Sequence, residues 1–208
     1  MNSVSVIVIC KNSASTLERS LNSILQQTHQ PTEIIVLDGH SSDETLQLAE
    51  KFPVKISLQN GIGIAQARNQ ALALCHSKWI AFLDADDEWL PEKLEIQLAL
   101  AHQKPQLELI SCRLVKINPY QQQEDTQPAY TPSGFLCRAS CFQTYGLFDT
   151  QWTYAADHAW FLLAKRKGLI YDVCPEILLR KHLHGKNLSL HQQAYRKEVF
   201  LLLKNYSD

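Results

Sequence analysis

Apolar positions along the chain come in short unbroken runs, each followed by a stretch in which they recur at helical spacing. Residues 4–10 form a β-branched run, and residues 15–27 follow with Leu17, Leu21, Ile24 and Leu25 three or four apart. The unit repeats: residues 33–37 predict a strand, Asp38-Gly39-His40 a turn, and Ser41-x-x-Glu44 a capping box that opens a helix to Lys51. A third strand is predicted over 54–58, a loop over Asn60 to Gly63, and a helix over 64–75 with Ala65, Ala67, Ala71, Leu72 and Cys75 inward. Residues 79–83 make a fourth strand, apolar throughout and so buried on both faces. Strands alternating with helices of these lengths predict an α/β, Rossmann-like, mostly parallel central sheet with helices on both faces.

The second half is less regular. Helices are expected over 92–103, 139–145, 155–167 and 190–203, and strands over 107–117, 135–136, 170–174 and 176–179. Residues 119–132, rich in Gln, Tyr and Pro, read as a long loop. The whole, residues 1–208, fits a single domain, with 1–104 and 105–208 as two halves.

In a parallel sheet of this kind, ligands lie beyond the carboxyl ends of the strands. Those ends here carry Asn12, Asp38, the loop 61–63, and the carboxylates Asp84, Asp86 and Asp87. An unpaired carboxylate is costly to bury, so three within four positions at a strand end imply solvent or a cation. Hard ions such as Mg²⁺ or Mn²⁺ bind through one or two carboxylates together with substrate phosphates. The competing reading is an acidic turn before a helix. Convergence of four independent strand ends on polar, glycine or acidic groups favours a phosphate site.

Composition removes other classes. With 20 basic and 21 acidic residues the charge is balanced, giving no footprint for nucleic acid. Six cysteines without a CxxC pair point to reduced thiols in a cytoplasmic setting, and Cys137 with Cys141 reads as structural rather than zinc-binding. No apolar segment approaches the ~20 residues of a membrane span, and the N-terminus has no secretory-signal pattern.

The order of motifs resembles a family-2 glycosyltransferase of the GT-A fold. The resemblance is carried by residues 4–9 with Asn12, by Ile34 through Thr45 including Asp38-Gly39, and by Gly63 with Ala67-Arg68-Asn69. It continues through Phe82-Leu83-Asp84-Ala85-Asp86-Asp87, Gly146-Leu147-Phe148-Asp149, Asp157, Arg180, and His184 through Ser189. Such enzymes move a sugar from a nucleotide diphosphate, here expected to be a UDP-sugar, to a hydroxyl of a glycan or lipid-linked acceptor. The resemblance implies nucleotide-sugar binding by Asn12, Asp38, Arg68 and Asp84, and a divalent metal, Mn²⁺ or Mg²⁺, on Asp86 with His184. His182 competes for the last place, and Arg68 could instead pair with the strand-end carboxylates. Asp157 matches the general base of an inverting transfer, although the usual Glu-Asp pair is Ala156-Asp157 here. Cys10-Lys11 and His40 also depart from the family pattern, near the expected base pocket.

Trp152 and Trp160 flank Asp157 and are the aromatic residues placed to meet an acceptor sugar. The basic stretch with Arg180, Lys181, Lys186, Arg196 and Lys197 reads as a solvated helix face or as a peripheral contact with a membrane. Two further functions fit part of the pattern. A haloacid-dehalogenase-type phosphohydrolase also ends an apolar strand in Asp-x-Asp, but on its first strand and with Thr or Val following. A nucleotide-sugar-binding module without turnover would keep the fold and lose the base, whereas Asp84, Asp86 and Asp157 are all present.

Overall fold

The computed structural model describes residues 2–118, 120, 122–184 and 192–205. In chain order the elements of the first half are β1 (Val4–Cys10), α1 (Leu17–Leu25), β2 (Glu33–Asp38), α2 (Thr45–Ala49), β3 (Lys55–Leu58), α3 (Ile64–Ala73), β4 (Trp79–Asp84), β5 (Glu88–Trp89) and α4 (Lys93–Gln103). There follow β6 (Leu109–Ile117), β7 (Gln123–Pro128), a 3₁₀ turn η1 (Pro132–Gly134), β8 (Leu136–Arg138), α5 (Ser140–Thr144), α6 (Ala156–Arg166), β9 (Tyr171–His182) and α7 (Gln192–Asn205).

Among the described residues these strands form one sheet in the order β3-β2-β1-β4-β8-β6-β9-β5, with β7 added on β6. The first four are parallel to one another. Alternation along β1 shows why they sit inside: Val4, Val6 and Val8 pack with Leu17 and Leu21 of α1, while Ile7 joins Ala67 and Ala71 of α3 on the opposite face. A strand covered on both faces has no solvent side, hence the unbroken apolar runs. The chain goes outward from β1 to β2 and β3, then returns to the other side of β1 as β4. At that reversal Cys10 lies opposite Asp38 and Ile9 opposite Asp84, so two strand-end carboxylates flank the end of β1.

Several expectations are corrected. The capping box does not form: Ser41 spends its hydroxyl on the Asp38 carboxylate, and Asp43 receives the Thr45 amide at 3.0 Å instead. The expected loop 119–132 contains β7, whose register on β6 pairs Arg113 with Pro128 and Val115 with Thr126. Its polar sequence hid it, because a strand lying on one neighbour needs only backbone bonds. The two strands expected over 170–179 are one, β9. Pro175 falls where the β6–β9 register shifts, a bulge at which its missing N–H leaves no ladder bond unmade. Residues 119, 121 and 185–191, which include Lys186 and the expected closing motif from Gly185 to Ser189, lie outside the described residues.

Helix α4 departs from its expected pattern in a way that has a measurable consequence. Lys93 and Gln97 are buried beside Leu94 and Leu98. The Lys93 ammonium donates to Gln97 Oε1 at 2.8 Å and stands 4.2 Å from the centre of the Trp89 ring. Burial lowers its pKa from 10.5 to about 8. Between those values the unfolded chain binds a proton that the folded chain has released, so folding stability rises with pH across the window. Below pH 8 the residue is charged in both states and its contribution is constant. Urea melts should therefore show wild type gaining on Lys93→Met by on the order of 2 kcal/mol from pH 8 to pH 10. A difference that stays flat across that range would remove Lys93 as its source.

Candidate active site

Two carboxylates from distant parts of the chain meet on one arginine. Arg68, in the first half of α3, is 1% exposed and pairs through one guanidinium nitrogen with Asp157 Oδ1 and through another with Asp84 Oδ1 at 3.3 Å. A buried guanidinium needs such partners, since an unpaired one would cost several kcal/mol. Of the two readings of Arg68, pairing with the carboxylates is the one seen. Its neighbour Asn69 fixes the facing segment, donating to the Phe148 carbonyl at 2.7 Å and accepting from the Phe148 amide at 3.0 Å. The Arg68-Asn69 pair thus joins the end of β4 to the segment leading into α6.

Asp157 is the second residue of α6, whose N-cap is Ala155 and makes no side-chain cap. A carboxylate there would ordinarily be spent on the helix's own amides. Here it is paired with Arg68 instead, while Glu198, from α7, ties down the segment entering the helix by accepting the amides of Thr153, Tyr154 and Ala155 at 2.8 to 3.1 Å. Sequence reasoning missed Glu198, which carries no local signal 43 to 45 residues from the amides it accepts. Glu198→Ala leaves three helix-entry amides without their acceptor and is expected to cost roughly 1–3 kcal/mol. Glu198→Gln, which keeps an acceptor oxygen, should recover part of that loss. Urea melts of the two variants check this; equal, negligible losses in both would show the contact to be idle.

At the end of β4, single oxygens of Asp84, Asp86 and Asp87 lie within 4.8 Å of one another. Backbone groups of this turn are held from α1: Arg19 donates to the Asp86 carbonyl at 2.7 Å and Ser20 to the Asp87 carbonyl at 2.6 Å. Behind it, the Asp84 amide donates to Ser133 Oγ at 3.1 Å. The end of β9 and the residues just after it face this turn: Arg180 pairs with Glu88, Lys181 with Asp87 at 3.4 Å, His182 Nε2 lies 3.3 Å from Glu88 Oε2, and His184 Nε2 lies 2.9 Å from Asp86 Oδ2. Of the two competing histidines, His184 is the one beside Asp86.

The three carboxylates differ in environment. Asp87 is fully buried, and burial pushes its carboxyl up to about 7, opposed by Lys181 and reinforced by Asp84 and Asp86. Burial alone would lower the Lys181 pKa; Asp87, Asp84 and Asp86 outweigh it and raise it. Asp87 therefore works as the buried anchor of Lys181, while Asp84 and Asp86 keep partly exposed oxygens. The Asp84, Asp86 and Asp87 oxygens are a donor set that fits Mg²⁺ or Mn²⁺, with the His184 imidazole in direct contact with Asp86 beside them.

Beyond β1 and β2, Asn12 and His40 both adopt left-handed backbone, at φ 50° and 59°. For His40 this is a strained conformation of the kind that gathers at binding sites. Asn12 Oδ1 accepts the Ser42 amide at 2.8 Å, and the Asn12 amide donates to Ser41 Oγ at 2.8 Å. Asp38 is buried, its carboxylate taken by the Ser41 amide and hydroxyl. Asn12 and Asp38 thus share one pair of interlocked loops. Trp152 and Trp160 are buried; Trp160 donates to the Gly146 carbonyl at 2.7 Å and stacks on Phe142, which makes it a core anchor rather than a sugar platform.

The Glycosyl transferase family 2 model matches residues 5–170, most of the chain. The chain belongs to glycosyl transferase family 2. Two Escherichia coli relatives named as UDP-Glc:alpha-D-GlcNAc-diphosphoundecaprenol beta-1,3-glucosyltransferases are similar to part of it. WfgD is 37% identical over 101 residues, 47% of this chain and 40% of its own; WfaP is 36% identical over 102 residues, 47% of this chain and 41% of its own. This family member therefore spans well under half of the length of those relatives in the matched region. Its fold is that of Staphylococcus aureus TarS, solved in complex with UDP-GlcNAc: TM-score 0.77 at 21% identity, covering 90% of this chain and 60% of that one. The GT-A expectation for the fold is thereby met.

Proposed function

We propose that this family-2 protein is an inverting transferase that moves a sugar from a nucleotide diphosphate, a UDP-sugar, to an acceptor hydroxyl in polysaccharide or glycolipid assembly on the cytoplasmic side of a membrane. The observation that carries the reading is Arg68, buried and holding Asp157 and Asp84 together beside the Asp86–His184 pair. An acidic turn before a helix has no use for a carboxylate brought from 73 residues downstream of Asp84 to the same guanidinium.

In this arrangement Asp157 has one oxygen fixed by Arg68, which leaves Oδ2 to take the proton of the acceptor hydroxyl as that oxygen attacks the anomeric carbon. A carboxylate within hydrogen-bond reach contributes about 10²–10⁴ in rate through such a transfer. Attack opposite the leaving diphosphate inverts the anomeric centre. Asp84, its Oδ1 on the same guanidinium, orients the ribose or donor sugar, so Arg68 fixes the spacing between donor and base. Asp38 meets the nucleotide base by exchanging its Ser41 hydroxyl for a base N–H, and Asn12 holds the loop that makes this exchange local. Asp86 and His184 would hold Mn²⁺ or Mg²⁺, which when bound supplies Lewis-acid neutralisation of the departing diphosphate.

The test is release of nucleoside diphosphate from a panel of nucleotide sugars, with and without hydroxyl acceptors, set against phosphate release from phosphomonoesters. Acceptor-stimulated diphosphate release supports the transferase. Phosphomonoester turnover instead would overturn it in favour of the phosphohydrolase, and donor binding without any release would leave a binding module.

A further inference from the structure

The outer face of α7 has a composition that neither the core nor the site accounts for. Inward, Leu202 is buried, Glu198 caps α6, and Tyr195 meets the His158 ring edge-on at 5.5 Å. At ~100° per residue these positions and Val199 share one side of the helix. Opposite them stand Phe200, 67% exposed, Leu203, 53% exposed, and Leu201, with Arg196, Lys197 and Lys204 also exposed among them. Between residues 193 and 204 the one acid is Glu198, and it is turned inward.

Three apolar side chains beside Arg196 and Lys197, with no outward carboxylate among the described residues of the helix, fit few partners. Water alone leaves a phenylalanine and two leucines on one exposed face. A second copy meeting this face by two-fold symmetry would set Arg196 and Lys197 against their own counterparts, with no carboxylate between them among the described residues of the helix. A bilayer with anionic headgroups satisfies both halves: the rings and branched chains enter the acyl boundary, and the long basic side chains reach the phosphates. We propose that the outward face of α7 docks this protein on an anionic lipid surface. The proposal deepens the membrane part of the function proposed above. Glu198 and Tyr195 tie the inner side of α7 to residues 153–155 and His158, so docking puts the Asp157 end of α6 on the membrane side of the molecule. That is where a hydroxyl on a lipid-linked acceptor would be presented.

The experiment is flotation of the purified full chain with vesicles of phosphatidylcholine alone or mixed with phosphatidylglycerol, with no sugar donor present, so that its outcome is independent of transfer chemistry. The expected result is capture by the anionic vesicles, weak capture by the neutral ones, and loss of capture at high salt. Phe200→Ser with Leu203→Ser should weaken binding by about ten-fold or more. Arg196→Glu with Lys197→Glu should do so by at least ~25-fold, about five-fold per cation removed. Both pairs point away from the core and should leave the thermal melt unchanged. Failure of wild type to float with anionic vesicles at low salt would overturn the proposal. So would equal binding by both variants, or a dimer in size-exclusion chromatography that Phe200→Ser disperses while lipid binding is absent.

Discussion

Asp157→Asn is expected to lower the rate of sugar transfer by about 10³-fold while leaving donor affinity and folding close to wild type. Asparagine keeps the shape of the side chain, and its carbonyl can still accept from Arg68. What it lacks is the second anionic oxygen, the one left for the acceptor's proton. Asp157→Ala is a poorer probe, because it strips a buried guanidinium of one of its two carboxylates. Breaking such a pair costs roughly 3–5 kcal/mol when the remaining charge is left uncompensated; here Asp84 stays and moderates the loss. Steady-state kinetics with saturating donor separates the effects: kcat should fall with little change in the KM for donor. Retention of more than a tenth of kcat would show that another group takes the proton.

The first half of the fold was legible because its strands are buried on both faces and its helices present one apolar side, so period and punctuation coincide with the elements. The strand-end rule then identified Asp38, Asp84 and Asp86 before any motif was considered. The second half was harder for identifiable reasons. β7 is polar along its length, β9 contains a proline at a bulge, and β5 is two residues long and exists because Arg180 lies opposite Glu88. α4 carries a lysine on its buried side, a choice that makes sense only with Trp89 and Gln97 in place around it. In the site, sequence supplied the residue types but not their pairings. Arg68 had two readings until Asp157 and Asp84 were seen on it, and the choice between His182 and His184 depended on which imidazole the end of β9 turns toward Asp86. Glu198, Arg19 and Ser20 act on backbone groups far away in sequence, and no spacing rule reaches such contacts.

The second large effect concerns Asp86. Its Oδ2 faces His184 at 2.9 Å, and it belongs to the group of carboxylates drawn together at the end of β4. On the proposed reading, removing that carboxylate takes away an oxygen ligand of the metal and the oxygen that His184 Nε2 faces, while Asp87 remains committed to Lys181. Metal-dependent donor affinity should fall by about 100-fold or more in Asp86→Ala, a larger loss than an outer contact of a metal site gives. His184→Ala should fall in the same direction. No helix among the described residues is long and apolar enough to cross a membrane.

The measurement that bears most directly on the account is calorimetric titration of UDP-sugars into wild type and Asp86→Ala, each with and without Mn²⁺. The account predicts binding of at least one nucleotide sugar that requires Mn²⁺ in wild type and is lost in Asp86→Ala. Absence of any nucleotide-sugar heat with Mn²⁺ present, or equal affinity in the two proteins, would contradict it.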